Sequence, residues 1–132
     1  MVWKSWKRLS GLDPLKKLVY LISPGKINKK FYNSLNAVLS QGNVKFFQLR
    51  LKKIKANRFL EIAKKVKKIT SRHKVKFIIN DNFNLTIKVK ADGCHMGQHD
   101  GSIKIAKKKL RNKILGVTCH NSKILANNAI KN

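Results

Sequence analysis

The sequence predicts an α/β fold in which about five βα units form one parallel sheet, and three observations support this prediction. Apolar runs of strand length alternate with amphipathic segments of helical length along the chain, a pattern typical of right-handed βαβ units. Several of these runs are apolar at nearly every position, as expected of parallel strands covered on both faces. A length of 132 residues with 42% hydrophobic content fits one folded domain.

The first two strands are predicted at residues 18–22 and 44–52. A Ser-Pro-Gly turn ends the first run, and a segment with apolar residues at helical spacing separates it from the second. The second half of residues 44–52 places Gln48, Arg50 and Lys52 on one side of the strand at period two. Because two of these three groups are cationic, the cluster suits an anionic ligand, although a solvated sheet edge would show the same pattern.

The remaining elements repeat the alternation of strand and helix. They are predicted, in order, as a helix over 59–69, a strand over 75–81, a short helix over 83–87, a strand around 94, a helix over 103–110, a strand over 113–119 and a last helix after 122. Asn121 and Ser122 are suitable residues to cap that last helix.

Acidic residues are scarce, and their positions are therefore informative. The chain has five of them: Asp13, Glu61, Asp81, Asp92 and Asp100. Asp81 and Asp92 fall at the ends of predicted strands, where parallel sheets place catalytic and metal-binding groups. A simpler role in capping a helix or a turn fits the same two positions.

The net charge of +26 suggests a polyanionic partner at first sight. The basic residues are spread over every segment, however, and they do not form the clustered footprint of a nucleic-acid-binding protein. We therefore predict no specific nucleic acid as a partner, with a basic RNA-binding protein kept as an alternative. A Gly-x-Gly-x-x-Gly motif after the first strand and a Gly-Lys-Ser/Thr phosphate loop are both absent.

Two cysteines each precede a histidine, at Cys94-His95 and Cys119-His120. No signal peptide is recognisable, so a reducing cytoplasm is predicted and a disulfide is not. Zinc is an alternative because thiols and imidazoles are its ligands, but adjacent residues on a strand point to opposite faces and no Cys-x2-Cys spacing exists. No apolar run has the length of a membrane span, and no membrane partner is predicted.

Residues 1–17 are predicted as a basic amphipathic N-terminal extension and residues 18–132 as the α/β domain. Val2, Trp3, Trp6 and Leu9 recur at helical spacing, with basic residues between them. Such a short helix either covers the open end of a sheet or barrel or lies on a membrane surface.

Four motifs, taken together and in order, resemble the thiamine-phosphate synthase family, which includes the related thiazole tautomerases. They are residues 48–52, 79–81, 91–100 and 116–120. The resemblance implies a (β/α)8 TIM barrel, of which residues 18–132 would be the first five βα units and the chain a C-terminally truncated member. It also implies a transferase that joins hydroxymethylpyrimidine diphosphate to thiazole phosphate and releases pyrophosphate.

By matching positions, the resemblance assigns each motif residue a role. Gln48 and Asn80 would hold the aminopyrimidine, and Arg50 and Lys52 would hold the diphosphate. Asp81 and Asp100 would bind Mg²⁺, a cation that prefers oxygen ligands and bridges phosphates. Thr118 stands where the family usually has serine, and its hydroxyl would contact the diphosphate. Catalysis would therefore fall to Arg50, Lys52 and Thr118.

The chain departs from the family in one minor and one major respect. His99 replaces a residue that is usually acidic or otherwise polar, with little expected effect. Five strands are predicted where the barrel needs eight, and the missing part would carry the thiazole-phosphate loops. The expectation is a protein that is inactive alone, or one completed by an oligomer or a complementing chain. A tautomerase with His120 as its acid/base group and a non-catalytic remnant stay as alternatives; Gln48 favours the synthase.

Overall fold

A computed structural model describes residues 17–131, in which five parallel strands form one sheet in the order β1-β2-β3-β4-β5. The strands are β1 (Val19–Ile22), β2 (Val44–Leu49), β3 (Lys76–Asn80), β4 (Gly93–Met96) and β5 (Ile114–Val117). A helix follows each strand: α1 (Lys29–Leu39), α2 (Ala56–Arg72), α3 (Phe83–Lys88), α4 (Ile103–Leu110) and α5 (Lys123–Lys131). The predicted α/β fold with five βα units is confirmed, whereas the predicted N-terminal helix lies outside the described residues.

None of the helices within residues 17–131 is long and apolar enough to cross a lipid bilayer.

Short polar side chains cap four of the five helices that follow the strands, and α2 is the exception. Asn82 accepts a hydrogen bond from the Leu85 amide at 2.8 Å, and Ser122 accepts one from the Leu125 amide at 3.2 Å. The predicted cap of the last helix is thus present at Ser122. Each cap satisfies one of the amides that a helix start leaves without a partner. The helix N-termini therefore lie at the same edge of the sheet as the carboxyl ends of the strands.

Two helices end at a lysine whose backbone is left-handed. Lys74 after α2 has φ +56° and Lys90 after α3 has φ +54°. The next amide in each case bonds back to a carbonyl in the last helical turn, Val75 to Thr70 and Ala91 to Thr86, both at 2.9 Å. This pairing is the Schellman motif, whose left-handed position is usually occupied by glycine.

The core lies between the sheet and the helices. Phe47 on β2 and Phe77 on β3 stack with ring centroids 6.4 Å apart, and both are almost completely buried. Ala63 and Val66 of α2 pack in the same core, as the predicted apolar face of that helix requires. A second, smaller cluster surrounds Cys94 between β4 and α4. Such dense burial of apolar side chains is the main force that holds the layers together.

The second strand is shorter than the sequence predicts. The period-two pattern extends it to Lys52, but β2 ends at Leu49 and Arg50 already lies outside the ladder. The Arg50 amide donates to the side-chain oxygen of Ser23 instead of a strand carbonyl, and Lys53 turns the chain with φ +52°. The prediction that Arg50 and Lys52 lie on the strand was therefore wrong, although both follow its carboxyl end.

Asp92 directly precedes β4, so it lies at the amino edge of the sheet. The other predicted strand-end residues lie at the opposite, carboxyl edge. Its carboxylate accepts hydrogen bonds from Lys67 Nζ at 2.9 Å and from the Phe77 amide at 3.0 Å, and Lys76 Nζ lies 3.6 Å away. These contacts tie α2 to β3 and β4. Of the two roles considered for Asp92, the structural one fits this position.

We expect Asp92→Asn to lower the free energy of unfolding by about 2 kcal/mol at pH 7, because a half-buried carboxylate loses its charge while its partners stay in place. Burial raises the Asp92 pKa, but the Phe77 amide and the two lysines outweigh it, so the pKa is lowered overall. Because its pKa is lower in the folded state, the ionised Asp92 stabilises the fold at pH values above the unfolded-state pKa of 3.8. This stabilisation is lost as the pH falls through the folded-state pKa.

Urea denaturation at pH 7 and at pH 3 measures this effect. The difference between the variant and the natural chain should shrink at pH 3, because that pH lies below the unfolded-state pKa of Asp92 and the natural chain there loses stabilisation that the variant never had. Glu61→Gln is the matched control, since the Arg58–Glu61 pair is 59% and 61% exposed and should contribute less than about 0.5 kcal/mol. A variant difference that is equal at both pH values would contradict the expectation.

Candidate active site

Polar side chains from four neighbouring strands meet at the carboxyl edge of the sheet. Gln48 lies on β2, Asn80 ends β3, His95 lies on β4 and Thr118 follows β5 directly. Gln48, Asn80 and His95 are buried, at 4%, 7% and 8% exposure. Buried polar groups carry a desolvation cost unless they have partners, so their accumulation at one edge marks a candidate site.

A directed chain of hydrogen bonds connects the first two strands to the third. The Tyr20 hydroxyl on β1 donates to Gln48 Oε1 at 2.7 Å, and Gln48 Nε2 donates to Asn80 Oδ1. Burial raises the Tyr20 pKa to about 12, so the phenol keeps its proton and remains a donor. This donor orients the Gln48 amide, and Gln48 in turn orients Asn80. The NH2 group of Asn80 is therefore directed away from Gln48, where it can donate to a ligand.

Asp81 and Asp100 bring two carboxyl groups together beside these amides. Loss of water around the Asp81 carboxyl, followed by a hydrogen bond with Asp100 and the charge of Asp100, raises its pKa to about 6. The Asp81 backbone is left-handed, with φ +64°, and its amide donates to the His95 carbonyl at 2.7 Å. Strained backbone that positions a perturbed carboxyl group is typical of functional sites.

Arg50 and Lys52 lie close enough to this carboxyl pair to act on it electrostatically. Their positive charges lower the Asp81 pKa, opposing burial and Asp100. Both residues are exposed, so their side chains can reach an anion at the edge of the sheet. The structure thus brings the four predicted charged residues into one region, with two anionic and two cationic groups.

His95 holds the hydroxyl of Thr118. His95 Nε2 lies 2.9 Å from Thr118 Oγ1, while the buried Nδ1 has no hydrogen-bond partner. Gly116 provides the space for this ring, since a Cβ there would come within 2.6 Å of Nδ1. Burial lowers the His95 pKa, and a neutral ring with its proton on Nε2 leaves no buried N–H unpaired. That tautomer donates to Thr118 and leaves the threonine proton free for a ligand oxygen.

The turn after β4 closes onto the same region. The Gly97 amide donates to Asp100 Oδ2 at 2.6 Å, which fixes the second carboxyl group. Gln98 Nε2 donates to the Thr118 carbonyl at 2.5 Å and connects the turn to β5. A Cβ on Gly97 would lie 2.7 Å from Asp100 Oδ2, so the absence of a side chain there lets the carboxyl group approach.

The zinc alternative has no support within the described part of the chain. No three histidine, cysteine, aspartate or glutamate side chains in residues 17–131 are grouped so that they could hold a metal. Cys94 and Cys119 are free thiols buried at 0% and 2% exposure, and they behave as small apolar residues. His120 follows β5 and is exposed, with φ +47°.

Sequence reasoning did not assign Tyr20, His95 or Gln98 to the site. Tyr20 belongs to an apolar run and has the pattern of a core residue, and His95 was considered only as a zinc ligand. The small residue Gly116 is the signal that could have identified His95, because it lies opposite His95 in the register of β4 and β5. A glycine in a strand interior often marks a close approach of this kind.

Comparison with known proteins gives concordant results. A family model described as thiamine monophosphate synthase matches residues 19–132. The chain is 57% identical over 116 residues to a thiamine-phosphate synthase of Pelagibacter ubique, covering 87% of this chain and 56% of that relative. It is 40% identical over 111 residues to a thiamine-phosphate synthase of Erythrobacter litoralis, covering 82% and 52% respectively.

Among solved structures, the fold is similar to a thiamine phosphate pyrophosphorylase from Pyrococcus furiosus. The TM-score is 0.67 with 27% sequence identity, covering 77% of this chain and 49% of that one. The chain therefore spans about half the length of the relatives that it matches.

Proposed function

This chain belongs to the thiamine monophosphate synthase family, and we propose on that premise that it acts in thiamine biosynthesis by binding hydroxymethylpyrimidine diphosphate. In the complete reaction the bond between the pyrimidine methylene carbon and the diphosphate oxygen breaks, and pyrophosphate leaves. A bond then forms between that carbon and the nitrogen of thiazole phosphate. We assign the pyrimidine diphosphate to the residues described above, and we assign none of them to thiazole phosphate.

One observation carries this proposal: two carboxyl groups and two cations meet beside an oriented pair of amides. Diphosphate needs positive charge, and a bound divalent cation needs carboxylate oxygens. Arg50, Lys52, Asp81 and Asp100 meet both requirements: Asp100 raises the Asp81 pKa and the two cations lower it, as expected of charges that lie close together. The amide pair lies at the adjacent strand ends, where a heterocycle attached to the diphosphate would extend.

We propose Mg²⁺ as the cofactor, held by Asp81 and Asp100. The residues fit such a cation, because two carboxyl groups close enough to share a hydrogen bond repel each other when both are ionised. When bound, Mg²⁺ supplies charge neutralisation to the leaving diphosphate. Two carboxylates are a suitable protein ligand set for Mg²⁺, which usually retains waters and phosphate oxygens in its remaining positions.

Arg50, Lys52 and Thr118 would stabilise the charge that develops on the departing pyrophosphate. Arg50 can bind two phosphate oxygens at once, whereas Lys52 contributes a compact point charge. Thr118, with its proton directed outward by His95, donates a further hydrogen bond. Positioned donors of this kind lower the barrier of a step in which negative charge accumulates on the leaving group.

Gln48 and Asn80 would bind the aminopyrimidine ring. Their relative orientation is set by Tyr20, so a donor faces the ligand from Asn80. Ring nitrogens of a pyrimidine are acceptors, and their recognition by a buried amide donor discriminates strongly against ligands that lack them. A tautomerase needs no such pair, and this observation favours the synthase over the His120-based alternative.

The remaining strands of a barrel are needed for turnover in our proposal. Because the relatives extend well beyond the part matched here, we propose that these strands come from the same protein or from a complementing chain. We also propose that the reaction takes place in the cytoplasm, consistent with the two free thiols.

Isothermal titration with hydroxymethylpyrimidine diphosphate tests the proposed function directly. We expect binding in the presence of Mg²⁺ and none after chelation by EDTA, with inorganic pyrophosphate as a competitor. The titration belongs at physiological ionic strength, because 31 basic residues attract any polyanion at low salt. Binding that is equally tight with EDTA would contradict the proposal.

We expect Lys52→Ala to weaken this binding about tenfold, the loss of one charge-assisted hydrogen bond to phosphate. Lys108→Ala is the matched control, because this substitution removes the same charge from an exposed lysine in the last turn of α4. Its effect should be less than about twofold at physiological salt, where distant charges are screened. Equal losses in the two variants would mean that net charge, and not the site, attracts the ligand.

A further inference from the structure

Ser23 is a buried residue at the end of β1 that the proposed function leaves without a role. It is 9% exposed and is followed by Pro24. Its amide donates to the Gln48 carbonyl at 2.9 Å, and its hydroxyl oxygen accepts from the Arg50 amide, also at 2.9 Å. One serine thus contacts the backbone of both a residue of the amide pair and a cation of the diphosphate site.

The two bonds differ in what they depend on. The bond to Gln48 uses the Ser23 backbone and continues the regular pairing of β1 with β2, in which Ile22 is opposite Gln48. The bond from the Arg50 amide uses the Ser23 side chain. It forms beyond the ends of β1 and β2, directly before Pro24. A substitution that removes the Ser23 hydroxyl therefore loses the bond from Arg50 and keeps the bond to Gln48.

The hydrogen bond to Ser23 matters for the position of Arg50 because Arg50 lies outside β2 and no helix or strand directly follows it. It leaves the strand at Leu49, and the chain turns at Lys53 with φ +52°. Its side chain is exposed, and an exposed arginine has many rotamers to lose when it binds an anion. A backbone fixed by Ser23 gives the Cα–Cβ bond of Arg50 a defined direction, so that binding an anion costs side-chain freedom without a further loss of backbone freedom.

We propose that Ser23 is a positioning residue for the diphosphate, acting through the backbone of Arg50. The proposal rests on the proposed function of the site and adds a residue that touches no ligand itself. It distinguishes two halves of one ligand: recognition of the diphosphate depends on the Ser23 hydroxyl, and recognition of the pyrimidine ring does not.

Three substitutions at Ser23 separate positioning from simple stability. Ser23→Ala removes the acceptor, Ser23→Cys keeps nearly the same volume with a much weaker acceptor, and Ser23→Thr keeps the hydroxyl. Each variant is titrated with hydroxymethylpyrimidine diphosphate and Mg²⁺, and by NMR with hydroxymethylpyrimidine, which has no diphosphate. Thermal unfolding is recorded in parallel.

We expect diphosphate affinity to fall about tenfold in Ser23→Ala and somewhat less in Ser23→Cys. Affinity for the pyrimidine alcohol should stay unchanged in both variants, and Ser23→Thr should bind both ligands as the natural chain does. If Ser23→Ala fails to fold, Ser23→Cys carries the same comparison. Equal weakening of the two ligands would overturn the proposal, because it would show a general loss of structure.

A double-mutant cycle with Arg50→Ala tests whether Ser23 acts through Arg50. In the Arg50→Ala background, Ser23→Ala should cause no further loss of diphosphate affinity, because its route to the ligand is already gone. Additive losses would overturn the inference. If the natural chain binds diphosphate and Ser23→Ala binds it equally well, the inference alone fails. If the natural chain binds no diphosphate with Mg²⁺, the proposed function fails and the inference fails with it.

Discussion

Asp81→Asn is expected to abolish Mg²⁺-dependent binding of hydroxymethylpyrimidine diphosphate, with an affinity loss on the order of 100-fold or more. The carboxylate is one of two protein ligands in the proposed metal site, and a neutral amide is a much weaker ligand for Mg²⁺. The cations Arg50 and Lys52 would remain, but they leave the charge of a diphosphate incompletely neutralised. Calorimetry with and without Mg²⁺ measures the loss.

Asparagine is a more specific substitution than alanine because it preserves the backbone conformation of residue 81. Asp81 has φ +64°, a conformation that asparagine tolerates and that costs alanine about 1–2 kcal/mol. Removing the charge also relieves the repulsion with Asp100 that contributes to the raised Asp81 pKa. We therefore expect the variant to be at least as stable as the natural chain while binding is lost. Retained Mg²⁺-dependent binding in Asp81→Asn would exclude Asp81 as a metal ligand.

Gly93→Ala is expected to have the largest effect on stability, a loss of about 3 kcal/mol or more in the free energy of unfolding. Gly93 is the first residue of β4 and lies between two neighbouring strands, opposite Ile78 on β3 and Ile114 on β5. A Cβ at this position would come within 2.5 Å of the Ile114 carbonyl oxygen and 2.6 Å of the Ile114 Cβ. Because the obstacle includes backbone, no rotamer change relieves it and the strands have to separate.

Gly25→Ala is the matched control for this experiment. No heavy atom lies within 4 Å of a Cβ built at Gly25, and the turn that contains it is exposed. The same chemical change there should alter the free energy of unfolding, measured by urea denaturation, by no more than about 0.5 kcal/mol. Similar midpoints for both variants would show that the β4–β5 spacing adapts more readily than the geometry indicates.

The order of elements was predictable because the sequence encodes it redundantly. Each strand is an apolar run that a polar turn ends, and each helix repeats apolar residues at a period that strands do not share. The end of β2 was not predictable from such patterns. It depends on a hydrogen bond between residues 27 positions apart, whereas period-two alternation continues through Lys52 regardless of whether the ladder does.

The sequence pointed to the charged, amide and hydroxyl side chains of the candidate site, but it did not point to the side chains that orient them. Charged and amide side chains directly after strands are conspicuous in the sequence, and the motifs around them resemble a family. Tyr20 and His95 act by orienting neighbours, and their partners are 28 and 23 positions away. The choice between functional and structural roles for Asp92 likewise depended on Lys67 of α2, a contact that no local pattern contains.

The lysines at the left-handed helix ends indicate where this protein could tolerate redesign. At Lys74 and Lys90, a positive charge favours the negative end of the helix dipole, but the Cβ opposes the backbone conformation. Lysine is thus a compromise at two positions where glycine would adopt the backbone conformation without strain. Replacing both lysines by glycine would relieve that strain at two turns on the opposite edge of the sheet from the candidate site, and would raise thermal tolerance without altering that site.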